Sequence, residues 1–487
     1  MKILTEYTYI KNLTDNTAYT ISPVAAEILS DFITPIEAVR ILKNVSSHVY
    51  MLESAQANEK WGRYTFLGYE PKLTIKSENG VLSIEGEESV KTDKPADYIR
   101  KLLDKYKSPR VDFIPTFTGG LVGYFSFDYF ALCEKTARTT AKDTENFKEL
   151  DLMLFDKVIV FDHVCQKIIL IANMNVSEGK TGFDRAVSEL EKLETLLKSG
   201  EKERDRPGKL LSDFKPLFDE ESFCNMVDKA KHYIREGDIF QVVLSNRLSA
   251  DYEGSLFNTY RMLRTINPSP YMFYFSGTDV EVAGASPETL VKLEDGVLHT
   301  FPLAGTRKRG ADDEEDKRFE KELLSDEKEL AEHNMLVDLG RNDLGKISEF
   351  GSVKVEKLRA IERYSHVMHI GSTVCGKIRE GKDALDAIEA VLPAGTLSGA
   401  PKIRACQIIG QLENNKRGIY GGAIGYIDFS GNMDTCIAIR IAYKKNGKVF
   451  VRSGAGIVGD SVPKKEYEEC LNKAKAVINA LKESEEV

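Results

Sequence analysis

The 487-residue chain contains no run approaching the roughly 18 uninterrupted apolar residues that a membrane-spanning helix requires. That argues against a membrane partner. The opening stretch "MKILTEYTYIKNLTDN" has no apolar signal core, so a cytoplasmic location is expected. Positive charge is not in excess either: 67 Lys and Arg stand against 76 Asp and Glu, a net charge of -9. The basic residues are scattered among the acids and form no stripe, which argues against nucleic acid as a partner. Cysteine is sparse and unpaired in pattern. The seven residues Cys133, Cys165, Cys224, Cys375, Cys406, Cys436 and Cys470 show no CxxC metal spacing, and a reduced, mostly buried set is expected. None lies in a tight Gly-flanked turn, so a glutaminase-type nucleophile is not expected on this chain.

What is present is a soluble globular composition, 42% hydrophobic and 29% charged, with enough length for two or three domains. Apolar runs such as "DKVIVFDHVCQKIILIANM" (156–174) alternate with helical patterns such as "FDRAVSELEKLETLLKS" (183–199). The polar segment "GEKERDRPGKLLSDFKP" (200–216) reads as a connection. It divides the chain into an α+β region over 1–195, a linker over 196–216 and a second region over 217–487. Strands and helices follow no strict βαβ rhythm, and several strands fall in hairpin-like pairs, which predicts an α+β fold with antiparallel sheets. Two stretches echo each other, "GGLVGYFSFD" (119–128) and "GGAIGYIDFS" (421–430). A glycine inside a strand marks close backbone approach or a bulge, so the two halves are expected to contribute facing sheets to one sandwich.

The acidic residues carry a second pattern. Glu329 and Glu332, in "DEKELAEH", lie three apart on one predicted helical face, and Glu466 and Glu469 repeat the spacing in "PKKEYEECLNKAKAVINAL", where Pro463 can open the helix. Glutamates at this spacing are also commonplace on solvated helices. Brought together, these four would suit a hard cation, Mg²⁺ in preference to Zn²⁺. Three Gly-rich stretches accompany them and read as anion-friendly loops: "FPLAGTRKRG" (301–310), "LPAGTLSGAPKIRA" (392–405), with Ser398 a candidate cap and Pro401 near the first turn, and "RSGAGIVGDSVP" (452–463). Each is equally a tight turn when taken alone. Together they suggest a metal bridging to a small substrate with more than one carboxylate.

These residues also resemble a known family. "PLAGTRKRG", "DLGRNDLGK", "YSHVMHIGSTVCG", "LPAGTLSGAPK", "RGIYGGAIGYI" and "RSGAGIVGDSVPKKEYEE" are similar, as a set, to the chorismate-utilising enzymes and within them to the anthranilate synthase large-subunit branch. The resemblance runs almost continuously over residues 220–480, and "MLESAQANEKWGRYTFLG" (51–68) resembles the tryptophan-binding segment of that branch. It implies a β-sandwich core surrounded by helices and makes 217–487 the chorismate-binding region. The branch that makes aminodeoxychorismate usually carries a lysine nucleophile where this chain has Ala304. Isochorismate and salicylate synthases place a lysine base where it has Gln241, and an amide has no basic lone pair with which to activate water. Both positions favour direct attack of ammonia at C2 of chorismate. Aminodeoxychorismate synthesis is the alternative.

Carried over by position, the resemblance implies that Glu329, Glu332, Glu466 and Glu469 surround Mg²⁺. Gly305, Thr306 and the backbone of Gly454, Ala455 and Gly456 would contact substrate carboxylate; Tyr420 and Arg440 would hold the enolpyruvyl carboxylate, with Lys473 near the ring acid. Glu288 would protonate the departing C4 hydroxyl, a task that calls for a poorly solvated carboxyl. His369 would serve the later expulsion of pyruvate, with Thr396 supporting it from the adjacent loop. Leu52, Glu53 and Ser54 would form one half of a feedback pocket for L-tryptophan, and Pro270, Tyr271 and Met272 the other. Ammonia would come from a glutamine amidotransferase small subunit.

Overall fold

The computed structural model describes residues 1–54, 62–202, 207–363 and 367–486. Residues 55–61, inside the segment resembling a tryptophan site, and residues 203–206 of the expected linker lie outside the described residues. So do residues 364–366 of "YSHVMH". No helix among the described residues is long and apolar enough to cross a membrane.

Two antiparallel sheets form the centre, one of 14 and one of 12 strands among the described residues. In the first, Ile21–Leu29, Lys167–Asn175, Lys157–Asp162, Tyr64–Tyr69 and Val49–Glu53 continue into Tyr271–Ser276, Glu281–Ser286, Ile441–Lys445, Lys448–Ile457 and Gln241–Glu253. In the second, Leu303–Lys308, Val367–Lys377, Val297–Thr300, Thr289–Glu294, Met433–Ile437 and Ala423–Asp428 continue into Gly120–Phe125, Leu150–Phe155 and Leu73–Glu78. Each sheet therefore joins strands from both sides of the connection at 196–216. The connection itself is partly ordered: the helix Gly179–Ser199 overruns its expected start, and Lys209–Leu210 and Lys215–Pro216 pair with Gln241–Glu253.

Why the central strands read as unbroken apolar runs follows from their two buried faces. In Lys157–Asp162, Val158 and Val160 point into the layer between the sheets, where they join Tyr124, Met153 and Ile424 of the second sheet. Ile159 and Phe161 point the other way, into a cluster with Leu42, Leu190, Leu193 and Val477 of the helices outside the first sheet. The second sheet is covered on its own outer face, where Leu150, Leu152 and Leu154 join Ile99, Val337 and Ile388 from three helices. Helix, sheet, sheet and helix thus stack as four layers.

The two glycine echoes do not face each other from opposite sheets, as expected from the sequence; they lie side by side in the second sheet. Gly120–Phe125 pairs with Ala423–Asp428, and Gly123 stands opposite Gly425 in the register. A Cβ on Gly123 would sit 2.1 Å from the carbonyl oxygen of Asp151, and one on Gly425 2.0 Å from that of Asp434. No side chain fits there without displacing a neighbouring strand. Gly425→Ala is expected to destabilise the protein by about 3 kcal/mol, read as a lowered thermal midpoint, because the clash is with backbone and not with a movable side-chain tip. An unchanged midpoint would remove the packing reason for the echo.

Candidate active site

The chain crosses from one sheet to the other at two places that touch. Between Glu281–Ser286 and Thr289–Glu294 the crossing residues are Pro287 and Glu288; between Met433–Ile437 and Ile441–Lys445 they are Ala438, Ile439 and Arg440. The two crossings are stitched together: the N–H of Ile437 donates to the carbonyl of Glu288 at 2.9 Å, the Ser286 hydroxyl to the carbonyl of Ile437 at 2.7 Å, and the N–H of Ala285 to the carbonyl of Arg440 at 3.2 Å. Arg440 adopts φ +54°, so it does not continue a strand, and its side chain leaves the alternation of "CIAIRIAY".

Around this junction lies a cavity of about 440 Å³. Of the residues expected in the site, Gln241, Glu288, Gly305, Thr306, Glu332, His369 and Thr396 line it, together with Tyr420, Arg440, Gly454, Gly456, Glu466, Glu469 and Lys473. Ala304 lines it too, so the position open to a nucleophilic amine presents a methyl group. Ala455 does not; its side chain is fully buried among Val242, Leu244 and Ile457 on the far side of the strand. Glu329 stands just behind the wall, within 3.1 Å of where a Cβ on Gly305 would be.

Glu288 has the poorly solvated carboxyl that its expected role calls for. Burial pushes it up to about 7, against the opposing pull of the Thr396 hydrogen bond and the Lys473 charge. The Thr396 hydroxyl donates to Glu288 Oε1 at 2.9 Å. This corrects the expectation that Thr396 supports His369. The imidazole is held instead by Gly305, whose carbonyl accepts from Nδ1 at 2.8 Å, with Thr306 Oγ1 3.1 Å from the same nitrogen. A carbonyl can only accept, so Nδ1 carries the proton and Nε2 is the basic nitrogen. Burial lowers the His369 pKa and favours this neutral form.

The stretch "PLAGTRKRG" is not a loop. Leu303–Lys308 is an edge strand against Val367–Lys377, with a bulge between Ala304 and Thr306 where Gly305 takes φ +67°. Its cations are engaged within the protein: Arg307 pairs with Asp326 at 2.9 Å and Glu329 at 3.4 Å, Arg309 with Asp316 at 2.6 Å, and Lys308 lies over the Phe319 ring. In "LPAGTLSGAPKIRA" the Ser398 hydroxyl donates to the carbonyl of Ala394 and caps no helix; Pro401 is the residue before the helix Lys402–Glu413. "RSGAG" likewise belongs to the strand Lys448–Ile457.

The acidic pairs fall on helices as expected. Glu327–Gly345 is capped by the Asp326 carboxylate, which accepts from the N–H groups of Lys328 and Glu329, and Pro463 opens Pro463–Glu483. Glu332 and Glu466 are both raised, first by partial withdrawal from water and then by like charge: Glu329 and Glu469 act on Glu332, and Glu469 on Glu466. The two helices therefore hold their carboxylates close enough to repel. That charge, with oxygen donors throughout, fits a hard divalent cation. Among the described residues, however, no three Asp, Glu, His or Cys side chains form a ready metal-ligating group, since Arg307 engages Glu329 and Lys473 pairs with Glu469 at 2.6 Å.

Sequence reasoning missed the charged residues beneath the cavity. Glu413, Arg417 and Arg452 have side chains 0 to 1% exposed and form two ion pairs, Arg417 to Glu413 at 2.6 Å and Arg452 to Glu413 at 2.7 Å. Arg417 also donates to the carbonyls of Leu397 at 2.6 Å and Val243 at 2.7 Å, both residues of the cavity wall. The available signal was an arginine inside each of two otherwise apolar, Gly-rich motifs.

The expected feedback residues meet but do not share one face. Val49–Glu53 pairs with Tyr271–Ser276, placing Glu53 opposite Met272 and Leu52 opposite Phe273. Met272 points into the helix-covered outer layer, as does Glu53, whose carboxylate is held by Arg264 at 2.5 Å and by the hydroxyls of Tyr260 and Thr65. Leu52 and Tyr271 pack toward the layer between the sheets. Ser54 and Pro270 are half-buried at the adjoining strand ends. Of the cysteines, Cys375, Cys406, Cys436 and Cys470 are buried, whereas Cys133 and Cys165 are exposed; all seven are unpaired.

Residues 47–479 match the family model described as chorismate binding enzyme. The chain belongs to that family. It is 46% identical to anthranilate synthase component 1 of Acetivibrio thermocellus over 480 residues, covering 96% of this chain and 97% of the relative. With the component 1 of Aquifex aeolicus it shares 45% identity, over 98% of this chain and 97% of the relative. Among solved structures, anthranilate synthase component I of Streptococcus pneumoniae TIGR4 superposes with a TM-score of 0.78 at 40% identity, covering 92% of this chain and 98% of that one. A menaquinone-specific isochorismate synthase of Escherichia coli shares the fold at a TM-score of 0.71 and 18% identity, over 97% of this chain and 98% of that one.

The raised Glu288 carboxyl makes a stability prediction with a definite sign. The unfolded chain releases this proton near the ordinary 4.5, whereas the folded chain keeps it to about 7. Stability therefore falls as pH rises between these values, and the full cost is present above them. Glu288→Gln is expected to raise stability near pH 8 by on the order of 2 kcal/mol, after discounting for water in the cavity, read as a higher thermal midpoint, and to give no gain by about pH 4. Equal effects at both pH values would contradict the burial assigned to this carboxyl.

Proposed function

We propose that this chain is the large subunit of an anthranilate synthase. It would aminate chorismate at C2 with ammonia, expel the C4 hydroxyl, and then eliminate pyruvate to give anthranilate, the aromatic acid of tryptophan biosynthesis. The observation that carries the reading is the pairing of a raised Glu288 carboxyl with two positions that carry no amine: Ala304 and Gln241 line the same cavity, so no side-chain amine at either position competes with ammonia.

In the first step the ammonia nitrogen bonds to C2, the two ring double bonds shift, and the C4–O bond breaks. Glu288 gives its proton to the departing oxygen, which leaves as water, while the nitrogen sheds a proton. Thr396 holds Glu288 Oε1 and keeps the acid aimed. In the second step His369 Nε2 takes the proton from C2 as the C3–O bond breaks; enolpyruvate leaves, gains a proton and becomes pyruvate, and the ring is aromatic. Gly305 fixes the tautomer that makes Nε2 the base. Arg440 and Tyr420 would bind the enolpyruvyl carboxylate, Arg440 being oriented by its 3.1 Å hydrogen bond to the carbonyl of Lys473. Mg²⁺, held among Glu329, Glu332, Glu466 and Glu469, would supply positive charge against the ring carboxylate of the substrate.

The name component 1, borne by the relatives, supports a second component, and we assign it the glutaminase chemistry that feeds ammonia to this cavity. The purified chain is expected to make anthranilate, followed by its fluorescence, from chorismate, Mg²⁺ and ammonium, to make none from glutamine alone, and to stop on exhaustive chelation. His369→Ala should still consume chorismate while accumulating the non-aromatic amino intermediate; undiminished anthranilate from this variant would sink the assignment of the base.

Feedback by L-tryptophan is part of the proposal, supported by the pairing of Glu53 with Met272 and of Leu52 with Phe273, which brings the two expected segments together. Ser54→Phe is expected to lose inhibition by tryptophan with turnover preserved. Identical inhibition curves for wild type and variant would refute a pocket at this edge.

A further inference from the structure

The helix Glu327–Gly345 and the segment 392–401 meet in the fold one layer behind Glu288. The first carries Glu329 and Glu332 and the second carries Thr396. Their contact is close: a Cβ on Gly395 would lie 2.7 Å from Leu339 Cδ1 of the helix. Between them a small cavity of about 40 Å³ is lined by Glu288, Thr396, Leu336, Gly340 and Asp343. Its Asp343 end is tied by a buried charge pair. Lys402 Nζ donates to Asp343 Oδ2 at 2.7 Å and to the carbonyl of Val391 at 2.7 Å, with the two side chains 9% and 5% exposed. Lys346 adds bonds from Nζ to Asp343 Oδ1 at 3.1 Å and to the carbonyl of Ala390 at 3.2 Å.

An apolar pair would bury this junction more cheaply, because two charges lose hydration and recover it only through directed bonds. What the charged pair adds is geometry. Lys402 follows the 392–401 segment and Val391 precedes it, so one ammonium ion binds both ends of the segment to one point on the helix. We infer that Lys402 and Asp343 are positioning residues for the proton donor: by clamping both ends of the 392–401 segment to the Glu327–Gly345 helix they keep the Thr396 hydroxyl on Glu288. Neither touches the large cavity, and the inference rests on the proposed role of Glu288 in chorismate amination.

Loosening the clamp should weaken the Thr396 bond, which lowers the Glu288 pKa, so the carboxyl should rise further. The other charged or titratable groups around Glu288 are Lys473, Glu466 and Glu469 from the C-terminal helix, Lys328 and Glu332 from the helix Glu327–Gly345, His369, Tyr420, Arg440 and Arg452 across the large cavity, and Asp343 across the small one. None of these is altered by Lys402→Met except Asp343, which Asp343→Asn tests by itself.

The experiment measures kcat and KM for chorismate against pH, at fixed free ammonia and saturating Mg²⁺, in wild type, Lys402→Met, Thr396→Val and the double variant. Lys402→Met is expected to lower kcat about tenfold with KM within about threefold. The alkaline limb of its kcat/KM profile should move up by roughly half to one pH unit. Thr396→Val should move the limb equally, and the double variant no further, because both changes remove one interaction. Should Lys402→Met fail to fold, Asp343→Asn enters the same comparison, and a limb moved upward there supports the clamp. An unmoved limb in a folded variant, or additive shifts in the double variant, overturns it while leaving the reaction assigned. A wild-type chain that does not consume chorismate overturns the reaction and the clamp together.

Discussion

Three charged side chains with almost no contact with water hold the floor of the cavity. Glu413 accepts from both Arg417 and Arg452, and its Oε1 also accepts from the N–H and hydroxyl of Ser245 at 2.8 and 3.0 Å. Burying such ions costs several kcal/mol each, and only complete hydrogen bonding offsets the loss. Arg452 completes its own set with the Ser245 hydroxyl, Asn415 Oδ1 and the carbonyl of Lys416. The reason for ions here lies in the neighbouring backbone. Segment 392–397 joins no ladder, whereas Gly399–Ala400 pairs with Gln241–Glu253, and the Arg417 fork reaches the carbonyl of Leu397 just before that pairing begins. A central glutamate thus joins the helix Lys402–Glu413, the strands Gln241–Glu253 and Lys448–Ile457, and the segment that carries Thr396.

The same need for irregular backbone explains where the site sits. Within a regular antiparallel sheet, side chains alternate between two faces, and both faces here are filled with apolar packing. Gln241, Thr306 and His369 reach the cavity from strands, and other polar groups come from places where the chain leaves a ladder. Glu288 and Arg440 occupy the two crossings between sheets, Gly305 a bulge, and Thr396 an irregular turn. The glutamate pairs approach on two helices, one packed on the outer face of each sheet.

Local pattern revealed what local physics decides. The helix faces bearing Glu329, Glu332, Glu466 and Glu469 were legible from their spacing, as were the twice-buried strands from their unbroken apolar runs; the glycine echoes marked a close strand approach but misled on its place, since they pair within one sheet and do not face each other across two. The family resemblance supplied the membership of the cavity, but not the contacts inside it. Thr396 and His369 belong to different elements, so nothing in sequence said that Thr396 would reach Glu288 instead. Leu303–Lys308 escaped detection because an edge strand with a bulge loses its period of two, and its three cations look free until the acids of the following helices are seen beside them. Ala455 matched a motif whose alternation turns its methyl into the core. Ion pairs distant in sequence, such as Arg452 with Glu413 or Lys402 with Asp343, carry no local signature beyond a charge in an apolar or Gly-rich setting.

One physical cause shifts both groups to which we assign proton transfer. Withdrawal from water disfavours whichever form is charged, so it raises Glu288 and lowers His369, leaving a neutral acid and a neutral base across one cavity. In bulk water a carboxyl and an imidazole would sit in the opposite states at mildly acidic pH, the first ionised and the second protonated. Burial shifts both toward their neutral forms, and one neutral bond opposes each shift: the Thr396 hydroxyl restrains the acid, and the Gly305 carbonyl, accepting from Nδ1, restrains the base. Thr396 lies on a segment that Arg417 and Lys402 bond at Leu397 and Val391, so on the acid's side the buried charge networks and the shift of the carboxyl are parts of the same structure.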